Sequence, residues 1–199
     1  VPKTGSDKRH VIVDSSYPPG NGVNDSIPKN IYRGEYVKVK LPTVPDIVDG
    51  IRRVKAQYPD NKVEGFKLDL GRYYRNLPTC PWDWPKQGIR WRGKIYIDTA
   101  WSFGVRSAVQ AAQRTTNGIN FAYTNHECSD HENAIREALG IPDSITDDQI
   151  KNWESAQELF NYIDDFIGIS PDFLSHIQWD RLQELVIKFG FELSKTSGH

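Results

Sequence analysis

The sequence predicts an α+β fold in which a mostly antiparallel sheet is backed by helices. Two stretches predict strands in pairs: residues 161–170 place β-forming residues on either side of two carboxylates, and residues 88–98 alternate around Arg92-Gly93. Each pattern is typical of two short strands joined by a tight turn, which in the first stretch falls at Asp164-Asp165. Segments with helical periodicity lie before, between and after these hairpins and complete the α+β prediction.

Three segments carry the helical pattern. The first opens at Thr43-Val44-Pro45, with proline at an early helical position, and continues to Ala56. The second covers residues 107–122, and the third begins at Ser170-Pro171 and ends at Gly190, after which residues 191–195 return as a strand. Two apolar faces are expected to pack in the core: Ile47, Val48, Ile51 and Val54 in the first helix, and Ile177, Leu182, Leu185, Val186 and Phe189 in the third.

Composition limits the class of protein. A chain of 199 residues fits one domain or a modest two-lobed one. Its formal charge of −1 is less basic than expected of a nucleic-acid enzyme, which argues against tight, self-sufficient binding. With only Cys80 and Cys128, a disulfide scaffold is not indicated. Because neither a membrane-spanning apolar run nor a signal-peptide pattern is found, we expect no membrane partner and an intracellular location, cytoplasmic or nuclear.

Two adjacent carboxylates, Asp164 and Asp165, stand at the tip of the first predicted hairpin. Like charges side by side repel, so a fold that keeps them usually brings a cation. Magnesium is the natural candidate, because it needs only one or two carboxylates plus substrate phosphates. A local explanation also exists, since Asp is a common turn residue. A third carboxylate, Asp69, near the end of another strand-like run favours the metal, because two-metal phosphoryl-transfer sites draw carboxylates from separate strands.

Three ordered motifs resemble those of reverse transcriptases. Tyr162-Ile163-Asp164-Asp165 is similar to their Tyr-x-Asp-Asp signature, residues 67–78 resemble their first palm motif, and residues 102–114 resemble the second. The residues of these motifs are most similar to those of retrotransposon enzymes of the type that carries tyrosine recombinases (DIRS-like), in which residues 22–28 also have a counterpart. The resemblance covers most of the chain in the right order.

The resemblance implies a polymerase palm in residues 61–199, with a helical insertion at about 126–158, and a partial fingers region in residues 1–60. It also leads us to expect that a thumb and an RNase H domain are absent, so that these missing segments or a partner subunit would complete the enzyme. The implied activity is RNA-directed DNA polymerisation: deoxynucleoside monophosphates pass from dNTPs to a primer 3′-hydroxyl on an RNA or DNA template. The implied cofactors are two Mg²⁺ ions, with Mn²⁺ as a substitute.

The resemblance also assigns roles residue by residue. Asp69 and Asp164 would bridge the two ions, Asp165 would assist, and the backbone carbonyl of Leu70 would be a further ligand. Lys195 is the candidate for protonating the leaving pyrophosphate. The expected nucleotide-binding residues are basic ones that meet the triphosphate, and others that contact base and sugar: Lys3, Arg9 and His10 in the first group, and Tyr74, Phe103 and Gly104 in the second. At the position of Tyr74, a bulky ring excludes a 2′-hydroxyl and so selects deoxynucleotides.

Departures from the family pattern leave two other classes of function open. His10 stands where the family usually has Arg, and Val109 and Ala112 stand where Pro and Phe are common. One alternative is an inactive or domesticated palm-fold module that binds nucleic acid or serves a structural role. The other is a different two-metal phosphotransferase, primase-like or a terminal transferase, in which Tyr74 would not select the sugar.

Two further patterns allow more than one interpretation. Aromatic residues interleaved with Arg and Lys in residues 88–98 are typical of a surface that stacks on bases and grips phosphates, but an ordinary half-buried hairpin has the same pattern. His126, Cys128 and His131 cluster in the predicted insertion, yet their spacing matches no established zinc site.

Overall fold

The computed structural model describes residues 14–32, 34–125, 137, 140 and 158–194. Within these ranges the chain is a mixed α+β fold with antiparallel sheets, which confirms the predicted fold class at that level. Several predicted features lie outside the described residues: Lys3, Arg9, His10, Lys195, the cluster of His126, Cys128 and His131, and nearly all of the expected insertion. No helix among the described residues is long and apolar enough to cross a membrane.

In chain order, the regular elements of the described residues are β1 (Ile31–Tyr32), β2 (Glu35–Tyr36), α1 (Val44–Gln57), β3 (Val63–Gly71), β4 (Gly88–Trp91), β5 (Lys94–Ile97), α2 (Ala108–Asn125), β6 (Glu158–Tyr162), β7 (Asp165–Pro171), α3 (Asp172–Lys188) and β8 (Glu192–Leu193). The chain divides into two compact units. The first comprises Val1–Val39 and Arg72–Ala112, and the second comprises Lys40–Gly71 and Gln113–His199. Helix α2 therefore contributes its first residues to one unit and the remainder to the other.

The first unit contains two separate two-stranded hairpins, β1–β2 and β4–β5. Single-turn 3₁₀ helices at Val23–Ser26 and Tyr73–Asn76 and a longer one at Pro81–Gln87 connect its segments. The predicted hairpin around Arg92-Gly93 is confirmed as β4–β5, with Gly88 opposite Ile97 and Trp91 opposite Lys94.

The second unit is built on a four-stranded antiparallel sheet in the order β6-β7-β3-β8. Successive residues of a strand point to opposite faces. Phe66 and Leu68 of β3 and Phe166 of β7, opposite Leu68, share one face, and each is at most 3% exposed. Helix α3 covers this face, where the ring of Trp179 meets that of Phe66 edge-on at 5.8 Å. The core of the unit lies between β3, β7 and α3.

Helix α1 begins as predicted, but a different stripe of it is buried. The Thr43 backbone N–H donates to the carboxylate of Asp46 at 2.7 Å, which satisfies one of the free amide groups at the helix start. Of the expected core residues Val54 is buried, but Val48 and Ile51 are 38% and 42% exposed, so their prediction as core is wrong. The reason is that Gly50 faces the sheet, where it leaves room only for the ring of Phe160 in β6.

Helix α3 ends where the sequence predicts and begins later. Ser170 and Pro171 stay in β7, paired with Glu64 and Val63 of β3, so the helix starts at Asp172. At the other end Gly190 adopts a φ of +82°, a conformation that favours glycine, and its N–H donates to the carbonyl of Ile187. Phe189, expected in the apolar face, caps the helix and is 51% exposed, whereas the other four predicted residues are buried: Ile177, Leu182, Leu185 and Val186.

A glycine in β7 makes the packing of the core face testable. A Cβ at Gly168 would overlap the ring of Phe66, which lies directly opposite on β3 and is 3% exposed. Gly168→Ala is therefore expected to lower the free energy of unfolding by about 1–3 kcal/mol, the usual cost of overpacking a core. Urea denaturation measures the change. Gly65→Ala is the matched control, because its Cβ would only reach ordinary contact with the Gly168 carbonyl at 3.7 Å. Equal effects of the two substitutions would contradict this packing.

Candidate active site

The Asp164 hairpin, by which we mean β6, β7 and the loop between them, carries the two adjacent carboxylates. Tyr162 pairs with Asp165, so the loop consists of Ile163 and Asp164, and Asp165 is the first residue of β7. The predicted Asp164-Asp165 turn is therefore wrong by one residue. Ile163 has a φ of +56°. The left-handed conformation costs a non-glycine residue about 1–2 kcal/mol, and a β-branched side chain rarely adopts it.

Neighbouring groups hold this strained loop in place. The backbone N–H of Ile163 donates to Oε1 of Gln113 in α2 at 2.8 Å. The backbone N–H of Leu70, near the end of β3, donates to the carbonyl of Asp164 at 2.9 Å. Both loop residues are thus fixed by bonds from outside the hairpin, as strained functional loops require.

A polar stripe on α2 faces the edge of the sheet. Residues 113, 116, 117 and 120 recur at helical spacing, and all four are polar. Gln113 Nε2 donates to the carbonyl of Asn161 at 3.1 Å, and Asn120 Nδ2 donates to that of Leu159 at 2.9 Å. The Asn161 side chain, 7% exposed, donates in turn to Oδ1 of Asn117 at 2.7 Å. Because β6 is an edge strand, its outer carbonyls need such partners.

The three predicted carboxylates lie at the same end of the sheet. Asp69 of β3 is directly opposite Asp165 of β7. Burial, followed by the negative charges of Asp165 and Asp69, raises the pKa of the Asp164 carboxyl above its ordinary value. Lys67, on the same face of β3 as Asp69, acts in the opposite direction and places Nζ 3.1 Å from Oδ1 of Asp165. The carboxylate cluster therefore binds one cation of the chain itself, the ammonium group of Lys67.

The donor chemistry of this cluster fits a hard divalent cation. Carboxylate oxygens are the ligands that Mg²⁺ prefers, and the mutual repulsion that raises the pKa of Asp164 is relieved by positive charge. Within the described ranges, however, no three His, Cys, Asp or Glu side chains are arranged as a ready ligand group. Lys67 engages Asp165, so an ion that used Asp165 would have to displace its ammonium group. The Leu70 carbonyl stays a predicted ligand.

In the first unit, the three residues predicted to contact the base and sugar, Tyr74, Phe103 and Gly104, lie in packed and hydrogen-bonded segments. Tyr74 is 6% exposed, and its ring lies 4.6 Å from that of Phe103, centroid to centroid. Phe103 is half exposed, and Gly104 has a φ of +97°, which explains the need for glycine there. The buried side chain of Asn24 donates to the Gly104 carbonyl and accepts from the N–H of Arg106, each at 2.7 Å. Asn24 thereby fixes the backbone on both sides of residue 105.

Sequence analysis gave no role to the side chains that hold these segments. Asn24 was named only as part of the matched residues 22–28, Asn161 only as the first residue of a predicted hairpin, and Gln113 only as the end of the second motif. The sequence does contain one signal, which is the polar stripe at residues 113, 116, 117 and 120 of α2. An asparagine within a strand, at residue 161, is a second signal, because Asn is depleted in strands.

Comparison with known proteins adds no relative: no family model matches the chain, and no curated protein matches it.

Proposed function

We propose that this chain is the palm and partial fingers of a reverse transcriptase, which transfers deoxynucleoside monophosphates to a primer 3′-hydroxyl under the direction of a template. One observation carries the proposal: a strained two-residue turn presents Asp164 beside Asp69 and Asp165, which face each other on paired strands. Carboxylates converging from separate strands are what two-metal phosphoryl transfer requires. The ordered motifs that resemble those of reverse transcriptases add the reaction class.

In the proposed reaction the primer 3′-oxygen attacks the α-phosphorus of a dNTP. A bond forms between them, the bond from the α-phosphorus to the pyrophosphate oxygen breaks, and the hydroxyl proton passes to solvent water. Asp69 and Asp164 would hold the divalent ions, with Asp165 and the Leu70 carbonyl as further ligands. When bound, Mg²⁺ would lower the pKa of the attacking hydroxyl and neutralise charge on the phosphates. The pyrophosphate gains a proton, for which Lys195 is the predicted donor.

The chain's own contribution is position and charge. Gln113 and Leu70 hold the loop that carries Asp164, so this carboxylate needs little reorganisation when substrate arrives. Lys67 offsets part of the repulsion within the cluster while no other cation is present. The same ammonium competes for Asp165, and this competition is expected to weaken ion binding in the absence of a nucleotide.

Tyr74 is expected to select the sugar of the incoming nucleotide. Its packing against Phe103 supports a rigid ring that a 2′-hydroxyl would meet. Tyr74→Val is therefore expected to raise incorporation of ribonucleotides relative to deoxynucleotides about tenfold or more, which corresponds to ~1.4 kcal/mol in the barrier. The measurement is the ratio of kcat/KM for an rNTP and its matching dNTP. Tyr74→Phe keeps the ring and should keep the ratio. An unchanged ratio in an active Tyr74→Val variant would favour the terminal-transferase alternative.

A second candidate function is a palm-fold module that binds nucleic acid without polymerising. The ion pair between Lys67 and Asp165 favours it, because the ammonium group offsets part of the carboxylate charge without a divalent ion. The lack of a ready three-ligand group in the described part of the chain points the same way. This candidate predicts nucleic-acid binding that is indifferent to Mg²⁺ and no incorporation.

Incorporation of one nucleotide into a primer on an RNA template, with Mg²⁺, tests the proposal. The chain and its Asp180→Asn variant are expected to add the complementary dNTP, and Asp164→Asn is expected to add none. Asp180 is the matched control because it is an exposed carboxylate on α3. If every folded variant binds the primed template and none incorporates, even when the chain is extended to include a thumb, the second candidate is correct. Incorporation of nucleotides whether or not they are complementary to the template base would indicate a terminal transferase.

A further inference from the structure

The β4–β5 hairpin, called here the basic hairpin, is exposed along its whole length. Every residue of both strands is exposed, among them Trp91 at 61% and Ile95 at 73%. The half-buried hairpin that the sequence also allowed is therefore not what forms. A two-stranded hairpin alone is marginally stable in water, so large apolar side chains on both of its faces call for a partner surface.

Cross-strand pairing collects the aromatic residues on one face. Trp91 is opposite Lys94 and Ile89 is opposite Tyr96, and alternation along each strand puts all four side chains on the same side. The guanidinium carbon of Arg92 lies 5.7 Å from the centroid of the Trp91 ring. The turn residues Arg92 and Gly93 both have positive φ, +49° and +77°, as in the type I′ turns that join twisted strands. Lys94 and the turn residue Arg92 therefore lie beside the rings, and Arg90, opposite Ile95, adds a cation on the other face.

The charge of this ribbon has one sign. Residues 88–97 include Arg90, Arg92 and Lys94 but no Asp or Glu, although the chain as a whole has a net charge of −1. None of these three cations belongs to an ion pair between described side chains. Such cations, next to exposed rings, are complementary to a polyanion that carries planar groups.

We propose that the basic hairpin binds single-stranded nucleic acid, with Trp91 and Tyr96 stacked on bases and Arg90, Arg92 and Lys94 on phosphates. Stacking needs bases that are not already paired, so the ligand is a single strand, and every base has a face to offer, so binding tolerates any sequence. The inference depends only on the hairpin. It makes no use of the carboxylate cluster, and it stands whether or not the chain polymerises.

A second copy of the chain is the less favoured occupant. In a two-fold symmetric dimer the same patch meets itself, so three cations would face three cations with no acidic residue in the hairpin to separate them. A polyanion neutralises these cations, whereas a second copy doubles the number of cations at the interface. Self-association therefore enters the test only as an outcome that would overturn the proposal.

Fluorescence anisotropy of a labelled single strand of about 16 nucleotides, with the full chain, tests the proposal. Trp91→Ala is expected to weaken binding roughly 5- to 100-fold, the loss typical of one stacked base. Replacing Arg90, Arg92 and Lys94 together by Gln is expected to flatten the dependence of log K on log salt by about 2, since each lost phosphate contact removes about 0.7 for a single strand. Asp180→Asn, at an exposed carboxylate of α3, is expected to bind as tightly as the unchanged chain.

Two matched controls separate the hairpin from general surface effects. Trp82→Ala removes an exposed tryptophan outside the hairpin, 87% exposed in the 3₁₀ segment Pro81–Gln87. Replacing Arg52, Lys55 and Lys188 by Gln removes the same charge from exposed helix positions. Both controls should bind like the unchanged chain, and circular dichroism should show all variants folded. Equal losses in variants and controls would overturn the proposal, and so would hairpin variants that abolish self-association in sedimentation without changing nucleic-acid binding.

Discussion

Asp164→Asn is expected to lower the rate of nucleotide incorporation about 100-fold or more and, at the same time, to raise the free energy of unfolding at neutral pH. Burial disfavours the ionised carboxylate, and the charges of Asp165 and Asp69 add to this, so the pKa of Asp164 is raised. Asparagine has nearly the same shape without the charge. The substitution therefore removes a ligand and a repulsion together, and activity and stability move in opposite directions, as is common at active sites.

The sign of the pH dependence follows from the direction of the pKa shift. Because the pKa of Asp164 is higher in the folded chain, the folded chain binds this proton more tightly than the unfolded chain does. The resulting stabilisation is fully present below the unfolded-state pKa of about 3.9 and is lost as the pH rises through the folded-state value. The gain in the free energy of unfolding from Asp164→Asn should thus be absent when the pH is at or below the unfolded-state pKa. It should be complete above the raised pKa of the folded chain.

Urea denaturation of both chains across this pH range measures the effect. Asp180→Asn is again the control, because it changes an exposed carboxylate and should alter stability by no more than about 0.5 kcal/mol. The explanation fails if Asp164→Asn and the unchanged chain lose stability in parallel as the pH rises. It also fails if Asp164→Asn incorporates nucleotide at the original rate.

Gln113→Leu is expected to lower the free energy of unfolding by about 2–4 kcal/mol. Gln113 is 3% exposed, and it accepts from Ile163 N–H and donates to the carbonyl of Asn161. Leucine fills a similar volume but leaves the buried Asn161 carbonyl unpaired, at about 1–3 kcal/mol, and the part-buried Ile163 N–H unpaired at a smaller cost. Incorporation should fall by at least about tenfold, because the loop that carries Asp164 loses a restraint and small misplacements of catalytic groups are costly.

Gln183→Leu makes the same chemical change on α3, where Gln183 donates only a long 3.4 Å bond to Asp180. It is expected to alter stability by less than about 0.5 kcal/mol and to leave incorporation unchanged. Denaturation and single-nucleotide incorporation measure both variants. If Gln113→Leu were no more harmful than Gln183→Leu, the polar stripe of α2 would not be what holds the Asp164 hairpin.

The parts of the fold that sequence analysis predicted are those whose signal is local. Alternation around Arg92-Gly93 predicts a hairpin because two residues with positive φ are enough to specify the turn. The Asp164 hairpin was found for the same reason, but its turn was misplaced by one residue. Asp is a better turn former than Ile, and only bonds from Gln113 and Leu70 explain why Ile163 takes the left-handed position.

Long-range contacts account for what could not be predicted. The side chain of Gln113 reaches a residue 50 positions away, and that of Asn24 reaches one 80 positions away. Periodicity identifies a polar stripe but not the strand that it meets. In α1 it indicated a wide apolar face, whereas contact with Phe160 at Gly50 turned Ile51 outward. Asp69 and Asp165 lie opposite each other because strand register, which the alternation of β3 and β7 specifies, fixes their positions. Asp164 lies in the loop, and the bonds from Gln113 and Leu70 hold it.

The central claim is that Asp69, Asp164 and Asp165 form a divalent-cation site, and ion-linked stability tests it most directly. The free energy of unfolding should be measured in urea with and without Mg²⁺ and a dNTP, for the unchanged chain, Asp164→Asn and Asp180→Asn. Ligands that bind only the folded state stabilise it, by about 2.7 kcal/mol at 100 times their Kd. We expect Mg²⁺ with dNTP to stabilise the unchanged chain and Asp180→Asn, and to leave Asp164→Asn unaffected. The same response in all three chains would contradict the claim.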